Sequence, residues 1–221
     1  YCAILVQYPN YFGEIESIQK TDTLLIVCAN LSALAVIKPP VEADIVVGDI
    51  QPLGISMNFG GPHAGYMACK ETYMRQMPGR LVGETVDTEG KRAFTLTIQT
   101  REQHIKREKA TSNICSNQSL IALSATLYLS LLGEKGFREA SIISANMAHA
   151  LSKMLNGKGV RTMNKNFFNE FVVEVPNSDE YLAKLKDANI LGGIKIDDRR
   201  VLVCATEMNT EEEILDYIEA L

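Results

Sequence analysis

The sequence lacks several features that mark common classes of protein. It has no excess of basic residues, because 22 Lys and Arg stand against 27 Asp and Glu, for a net charge of −5. Proteins that bind nucleic acid need a clustered excess of positive charge, so this composition argues against such a partner. No apolar run approaches the roughly 20 residues that a membrane-spanning helix needs, which argues against membrane insertion.

Several motifs of catalytic and metal sites are absent as well. The five cysteines are far apart and show no CxxC spacing, so neither a zinc site nor a redox pair is indicated. Dispersed thiols suit a reducing compartment, and we expect a cytoplasmic protein. The three histidines show no metal-ligand spacing, and no GxSxG motif is present. We therefore expect neither a metal site nor a serine nucleophile.

Short apolar runs alternate with connecting segments over the first 70 residues. The runs cover residues 4–7, 24–28, 45–47 and 66–69. Uninterrupted runs of this length are typical of strands that are buried on both faces of a parallel sheet. Crossover helices are predicted near residues 14–20 and 31–38, so we expect an α/β fold with a parallel sheet.

The pattern changes after residue 80. Residues 80–100 are irregular apart from an alternating run at 94–98, which is typical of a half-exposed strand and suits a functional or interface loop. Two helices are then predicted, and Gly133 lies between them in the position of a left-handed C-cap.

The remaining sequence predicts a small α+β domain. Strands are expected at residues 159–163, 170–175, 191–196 and 201–204, with helices at 180–188 and 211–221. Capping boxes are predicted for Asn177 with Glu180 and for Thr210 with Glu213. The boundary is placed so that residues 1–135 belong to the large α/β domain and residues 136–221 form the small one.

Two segments are candidates for function. A glycine-rich loop, VGDIQPLGISMNFGGPHAG, covers residues 47–65, and it lacks both the phosphate-loop lysine and the GxGxxG spacing. Such a cluster is more typical of tight turns than of a binding site. A basic segment, REQHIKREKATSNICSNQ, covers residues 101–118 of an acidic chain. It is either a solvated turn before a helix or a surface that receives an anion.

Several segments together carry a resemblance to a known family. They are YPNYFG at 8–13, ADIVVGDIQPLG at 43–54, FGGPHAG at 59–65, MPGRLVG at 77–83 and the basic segment at 101–118. In this order they resemble the P-protein of the glycine cleavage system, glycine dehydrogenase (decarboxylating), over residues 1–221. The match is closer to subunit 1 of the two-subunit form, although the single-chain form remains open. Because Tyr1 leads directly into an apolar run, we expect a C-terminal half of a larger protein.

The resemblance implies a fold, a reaction and partners. The fold is a fold type I pyridoxal-phosphate-dependent transferase, of which this chain would hold the second half of the large parallel-sheet domain and the small C-terminal domain. P-protein decarboxylates glycine with pyridoxal phosphate and passes the aminomethyl group to the lipoyl arm of H-protein. The implied assembly is an α2β2 heterotetramer with subunit 2.

One departure from the family's catalytic pattern concerns the lysine that holds pyridoxal phosphate as a Schiff base. In the catalytic relative it lies shortly before a glycine-rich segment, whereas here no lysine occurs between Lys38 and Lys70, and Gln51 or a neighbour stands near that place. An amide cannot form a Schiff base. We therefore expect no catalytic residue in this chain and expect the cofactor on the partner subunit.

The resemblance also implies a surface that supports the partner's active site. The residues predicted for it are Gln51, Asn58, His63, Arg101, His104, Lys106, Arg107, Thr111, Ser112 and Asn113. A purely structural role remains open for each of them. Two other interpretations also remain open. One is an autonomous pyridoxal-phosphate enzyme that uses Lys38 or Lys70, and the other is a structural subunit that only binds a partner.

Overall fold

The first sheet is mixed rather than fully parallel. The computed structural model describes residues 2–98, 102–110, 112 and 118–221. The strands of this sheet, in hydrogen-bonded order, are β1 (Ala3–Tyr8), β2 (Leu24–Ala29), β3 (Ile45–Asp49) and β4 (Gly65–Cys69). The first three are parallel, whereas β4 runs antiparallel to β3. The predicted α/β class and strands are confirmed, but the expectation of a parallel sheet is wrong at β4, because no crossover helix separates β3 from β4.

The connections between these strands contain less helix than predicted. Only a short helix, α1 (Leu31–Leu34), forms after β2, with the Asn30 side chain accepting a hydrogen bond from the Ala33 N–H. The helix predicted at residues 14–20 is absent. Glu14 instead forms a β-bridge with Phe167, and the backbone of the next residue pairs with residue 166. The backbone groups at residues 14 and 15 therefore form hydrogen bonds with a distant segment instead of the hydrogen bonds of a helix.

A hairpin and a long helix follow the first sheet. A 3₁₀ helix (Glu71–Gln76) leads to the hairpin of β5 (Leu81–Val86) and β6 (Arg92–Thr97). The predicted strand at 94–98 is confirmed as part of β6. A short helix α2 (Gln103–Lys106) and a 3₁₀ turn (Arg107–Lys109) then precede the long helix α3 (Ser119–Gly157).

Helix α3 is interrupted at Gly133, whose φ of 64° and ψ of −178° are not helical. The predicted break between two helices is thus confirmed, whereas the domain boundary after residue 135 stays a prediction. By length and composition α3 is apolar enough to cross a membrane. Only 6% of its most apolar stretch is buried, whereas its second half buries Ala148, Leu151 and Leu155 in the core of the second sheet.

The second sheet forms the small α+β part. Its strands, in hydrogen-bonded order, are β7 (Arg161–Thr162), β8 (Glu170–Glu174), β10 (Arg200–Cys204) and β9 (Ile194–Asp197), and all pairs are antiparallel. Helices α4 (Ser178–Asp187) and α5 (Glu211–Glu219) pack on it. Thr210 and Glu213 form the predicted capping box, and Asn177 caps α4 through its side chain. The predicted elements of this part are confirmed, with shifts of a few residues at their ends.

A junction connects the loop after β1 to the second sheet. The Glu14 carboxylate accepts hydrogen bonds from the backbone N–H groups of Lys165 (3.1 Å) and Asn166 (3.0 Å). The Asn164 amide donates to the Phe12 carbonyl at 2.9 Å. Gly13 has a φ of 78°, and a Cβ there would lie 2.0 Å from the Glu170 carbonyl oxygen. The loop is therefore held against the second sheet by backbone contacts that only glycine permits at this position.

A buried carboxylate organises the amino ends of the strands. Asp44, just before β3, accepts a hydrogen bond from the Leu25 N–H at 2.8 Å and pairs with the ammonium groups of Lys20 and, at 3.0 Å, Lys70. The Leu25 N–H, followed by the two lysines, holds the pKa of the Asp44 carboxyl well below its usual range. These contacts connect the starts of β2 and β3 to the end of β4.

We expect Asp44→Asn to remove a pH-dependent part of the stability. Because the folded-state pKa is lowered, the charged carboxylate stabilises the fold fully above the unfolded pKa of about 3.9, and this contribution is lost progressively as the pH falls from that value through the lower folded-state pKa. The midpoint of thermal unfolding should therefore fall more steeply between about pH 5 and about pH 2 in the unsubstituted chain than in the variant. The exposed Asp22, substituted in the same way, is the control. Parallel curves for Asp44→Asn and the unsubstituted chain would contradict this role.

Candidate functional site

A cleft lies at the carboxyl ends of the parallel strands β1, β2 and β3. Its volume is about 110 Å³. The strand ends contribute Tyr8, Cys28 and Asp49 to its lining, and the second sheet contributes Asn169 and Glu170. Ligand sites of α/β proteins occupy this edge of the sheet, because the strands end there and their loops diverge. The cleft is therefore the first candidate for a functional site.

Gly48 lines the cleft and packs closely against the Tyr66 ring. The paired register of β2 and β3 ends at Cys28 with Val47. One residue further, the Ala29 carbonyl accepts a hydrogen bond from the Tyr66 hydroxyl at 2.8 Å. A Cβ at Gly48 would lie 2.4 Å from that carbonyl oxygen and 2.5 Å from the Tyr66 ring, so a larger residue does not fit. Burial raises the pKa of Tyr66 to about 12, which keeps the hydroxyl as a donor.

The polar side chains around the cleft are mostly held by neighbouring groups. The Asp49 carboxylate accepts a hydrogen bond from the Gln51 N–H at 3.0 Å, and the Asn169 amide donates to the Ser144 hydroxyl at 3.1 Å. Desolvation raises the pKa of the Glu170 carboxyl. Opposite it on β10, desolvation, followed by the nearby carboxylates of Glu170 and Glu207, raises the pKa of the Cys204 thiol to about 12, so this exposed thiol stays protonated near neutral pH.

The lining of the cleft does not fit pyridoxal phosphate. The cofactor needs an amine for its Schiff base and cationic or N–H donors for its phosphate. Among the described residues, no lysine or arginine lines the cleft, whereas the carboxylates of Asp49 and Glu170 do. Lys20 and Lys70 pair with Asp44 at the opposite, amino end of β3. The side chain of Lys38 is exposed to solvent and lies 4.0 Å from Glu42.

The structure places part of the predicted supporting surface in the loop between β3 and β4. Gln51 is half-buried there, and Asn58 and His63 are exposed. The Asn58 amide donates to the Pro62 carbonyl at 2.6 Å and so closes a turn in the glycine-rich loop. This geometry agrees with the turn interpretation of that loop, and no binding role follows from it.

The other predicted residues belong to the basic segment. His104 and Lys106 are exposed on α2, and Arg107 starts the following 3₁₀ turn with a φ of 54°. Ser112 is half-buried. The remaining residues of the set lie outside the described part of the chain: Arg101, Thr111 and Asn113. None of the described residues of the predicted set lines the cleft, and their supporting role stays a prediction.

Sequence reasoning missed Asp49, Asn169 and Glu170 as site residues. A signal for Asp49 was present, because it ends a predicted parallel strand, where ligand sites lie. No comparable signal exists for Asn169 and Glu170, since they reach the cleft only through the junction with the loop after β1.

Comparison with known proteins assigns the family. The family model described as "Glycine cleavage system P-protein" matches residues 1–221. The chain belongs to the P-protein family. A relative from Geobacillus thermodenitrificans, named probable glycine dehydrogenase (decarboxylating) subunit 1, is 45% identical over 99% of this chain and 52% of its own length. A relative of the same name from Dictyoglomus turgidum is 44% identical, again over 99% of this chain and 52% of its own length.

Solved structures agree with this assignment. A crystal structure of glycine decarboxylase (P-protein) of the glycine cleavage system, in inhibitor-bound form, is 41% identical with a TM-score of 0.87, covering 99% of this chain and 54% of that one. The sphingosine-1-phosphate lyase of Burkholderia pseudomallei is 15% identical with a TM-score of 0.63, over 99% and 51% of the two chains, and shows the fold alone. The fold is that of fold type I pyridoxal-phosphate-dependent enzymes. This P-protein chain spans about half the length of the relatives it matches.

Proposed function

We propose that this chain is a non-catalytic part of glycine dehydrogenase (decarboxylating) subunit 1, an oxidoreductase of the glycine cleavage system. It supports the decarboxylation of glycine and the transfer of the aminomethyl group to the lipoyl group of H-protein. The proposed enzyme is a cytoplasmic α2β2 assembly of subunits 1 and 2. Pyridoxal phosphate, which stabilises the carbanion left by CO₂ loss, is proposed to bind the partner subunit.

The observation that carries this proposal is the lining of the cleft. The family match supports the enzyme, and the named relatives support the assignment to subunit 1. The described cleft residues hold two carboxylates and no lysine, so the site at the carboxyl ends of β1 to β3 cannot bind the cofactor covalently through them. The contribution of this chain is then structural. It forms part of the fold against which the partner's active site is assembled.

The autonomous enzyme is the weaker candidate. It would need Lys38 or Lys70 as the Schiff-base lysine, but neither lines the cleft. The ammonium group of Lys70 is engaged by Asp44, and Lys38 lies on the surface. If this alternative held, borohydride reduction of the full-length subunit with pyridoxal phosphate would label one lysine stoichiometrically.

The test is the glycine-dependent exchange of radiolabelled CO₂ with H-protein and pyridoxal phosphate present. The full-length subunit 1, subunit 2 and their mixture are assayed separately. We expect exchange only in the mixture, because one subunit would hold the cofactor and the other would complete the assembly. Exchange by subunit 1 alone, together with a borohydride-labelled lysine, would reject the non-catalytic role.

A further inference from the structure

The two sheets of this chain have separate hydrophobic cores. The clusters around the first sheet contain residues only up to Phe137, whereas the cluster around the second sheet begins at Met147. Within the part of the chain that the structure describes, no apolar residue belongs to the clusters of both sheets. Parts of a chain with separate cores move relative to each other unless a large hydrophobic interface joins them. We call the chain up to residue 132 the first part and residues 134–221 the second part.

Helix α3 connects the two parts, and its break at Gly133 has the properties of a hinge. The φ of 64° and ψ of −178° at Gly133 are accessible essentially to glycine alone. A Cβ at this position would meet nothing within 4 Å, so the break is not packed against other described residues. Phe137, one turn further, still packs beside the first part and therefore lies close to the pivot. Hinges are a few residues that absorb a change of φ and ψ in this way.

The junction between the loop after β1 and the second sheet also connects the two parts. Its side-chain hydrogen bonds are exposed, among them the two that the Glu14 carboxylate accepts from the N–H groups of Lys165 and Asn166. The Ile15 N–H also donates to the Asn166 carbonyl at 2.8 Å. Exposed hydrogen bonds are exchanged for hydrogen bonds to water at a small net cost. The junction can therefore open while both cores stay intact.

The cleft lies between the two parts. Cys28 and Asp49 line it from the first part, and Asn169 and Glu170 line it from the second. Asn169 and Glu170 follow closely on the segment that the junction holds, and Gly13 of the loop after β1 lines the cleft as well. The junction therefore sets the distance between the two walls of the cleft.

We propose that the second part swings about Gly133 and that the junction at Glu14 is a latch, a contact that keeps the cleft closed. When the latch opens, the wall formed by Asn169 and Glu170 moves away from the strand ends. Glu14 is a positioning residue, because its carboxylate acts on this wall through the backbone of residues 165 and 166. The inference concerns access to the cleft and does not depend on the proposed function.

Hydrogen–deuterium exchange of the full-length subunit tests the hinge. The amide hydrogens of Ile15, Lys165 and Asn166 should exchange together and at least about tenfold faster than those of the paired strands β8 and β10, because opening leaves both sheets folded. Gly133→Ala penalises the φ and ψ of the closed state. We expect it to speed the exchange of the three junction amides about tenfold or more and to leave the strand amides unchanged.

Gly159→Ala is the matched control for the hinge. Gly159, just after the end of α3, also has a positive φ, 85°, and a Cβ there meets nothing within 4 Å, but it lies within the second part. We expect this variant to leave the exchange of the junction amides unchanged. Junction amides that exchange as slowly as the strand amides, or equal effects of Gly133→Ala and Gly159→Ala, would overturn the proposal.

Thiol alkylation of the full-length subunit tests the latch. Cys28 lines the cleft, whereas Cys69, equally half-buried, pairs with the amino end of β3 and serves as the internal control. We expect Glu14→Ala to raise the rate at which iodoacetamide alkylates Cys28 about tenfold or more, and to leave Cys69 unchanged. Glu212→Ala, at an exposed position of α5, is the control variant. Equal acceleration at both thiols, which indicates unfolding, or no acceleration at Cys28 would refute the latch.

Discussion

Replacing Phe171 with alanine is expected to lower the free energy of unfolding of this chain by about 3–5 kcal/mol. Phe171 on β8 is completely buried, and its ring lies 5.0 Å from the ring of Phe167. Leu151 and Leu155 of α3 belong to the same core. Removal of the ring therefore leaves a cavity between the sheet and the helix, which the neighbouring side chains cannot fill. Urea unfolding followed by circular dichroism measures the loss.

Phe59→Ala is the matched control for this substitution. It removes the same ring, but the Phe59 side chain is 97% exposed in the loop between β3 and β4. We expect a change within about 0.5 kcal/mol, because no packing is lost. Similar losses for Phe59→Ala and Phe171→Ala would show that the small-domain core does not depend on the buried ring.

Gly13→Ala is expected to have the second-largest effect, because it acts on the junction between the loop after β1 and the second sheet. The φ of 78° is unfavourable for alanine by about 1–2 kcal/mol. In addition, its Cβ would lie 2.0 Å from the Glu170 carbonyl oxygen, so the backbone must move, at a further cost of about 1–3 kcal/mol. Displacement of Glu170 would also change one wall of the cleft.

Gly90→Ala distinguishes the cost of the positive φ from the cost of the steric clash with Glu170. Gly90 lies in the turn of the hairpin with a nearly identical φ of 77°, and a Cβ there meets nothing within 4 Å. This control therefore carries the conformational cost of about 1–2 kcal/mol without the clash. Urea unfolding of both variants yields the difference. If Gly90→Ala destabilises the chain as much as Gly13→Ala, the close approach of Gly13 to Glu170 contributes nothing.

The elements that were predicted correctly are determined by residues close together in the chain. The apolar runs at β1, β2 and β3 predict strands from their residue types alone, and the caps of α4 and α5 need only residues three positions apart. The failures have non-local causes. The direction of β4 depends on the path of the loop after β3, and the helix expected at residues 14–20 loses its backbone groups to a segment about 150 positions away in the chain.

The residues of the candidate site also differ in whether local sequence could predict them. The carboxyl ends of β1 to β3 could be located once the strands were predicted, so Asp49 could have been predicted as a site residue from the sequence. Glu170 was not, because no periodicity or motif connects it to β1. The supporting residues came from the family resemblance, and the structure places the described ones away from the cleft. Their supporting role stays a prediction.

By itself, the sequence determined the α/β class, the small α+β part, the break at Gly133, the P-protein family and the absence of lysine between Lys38 and Lys70. These depend on residue identity and on periodicity within a few turns or strands. Only the tertiary structure decided that the lysines engaged by Asp44 lie at the far end of the sheet from the cleft, that carboxylates line the cleft, and that the loop after β1 docks on the second sheet. These depend on which distant segments meet, and that follows from the packing of the whole chain.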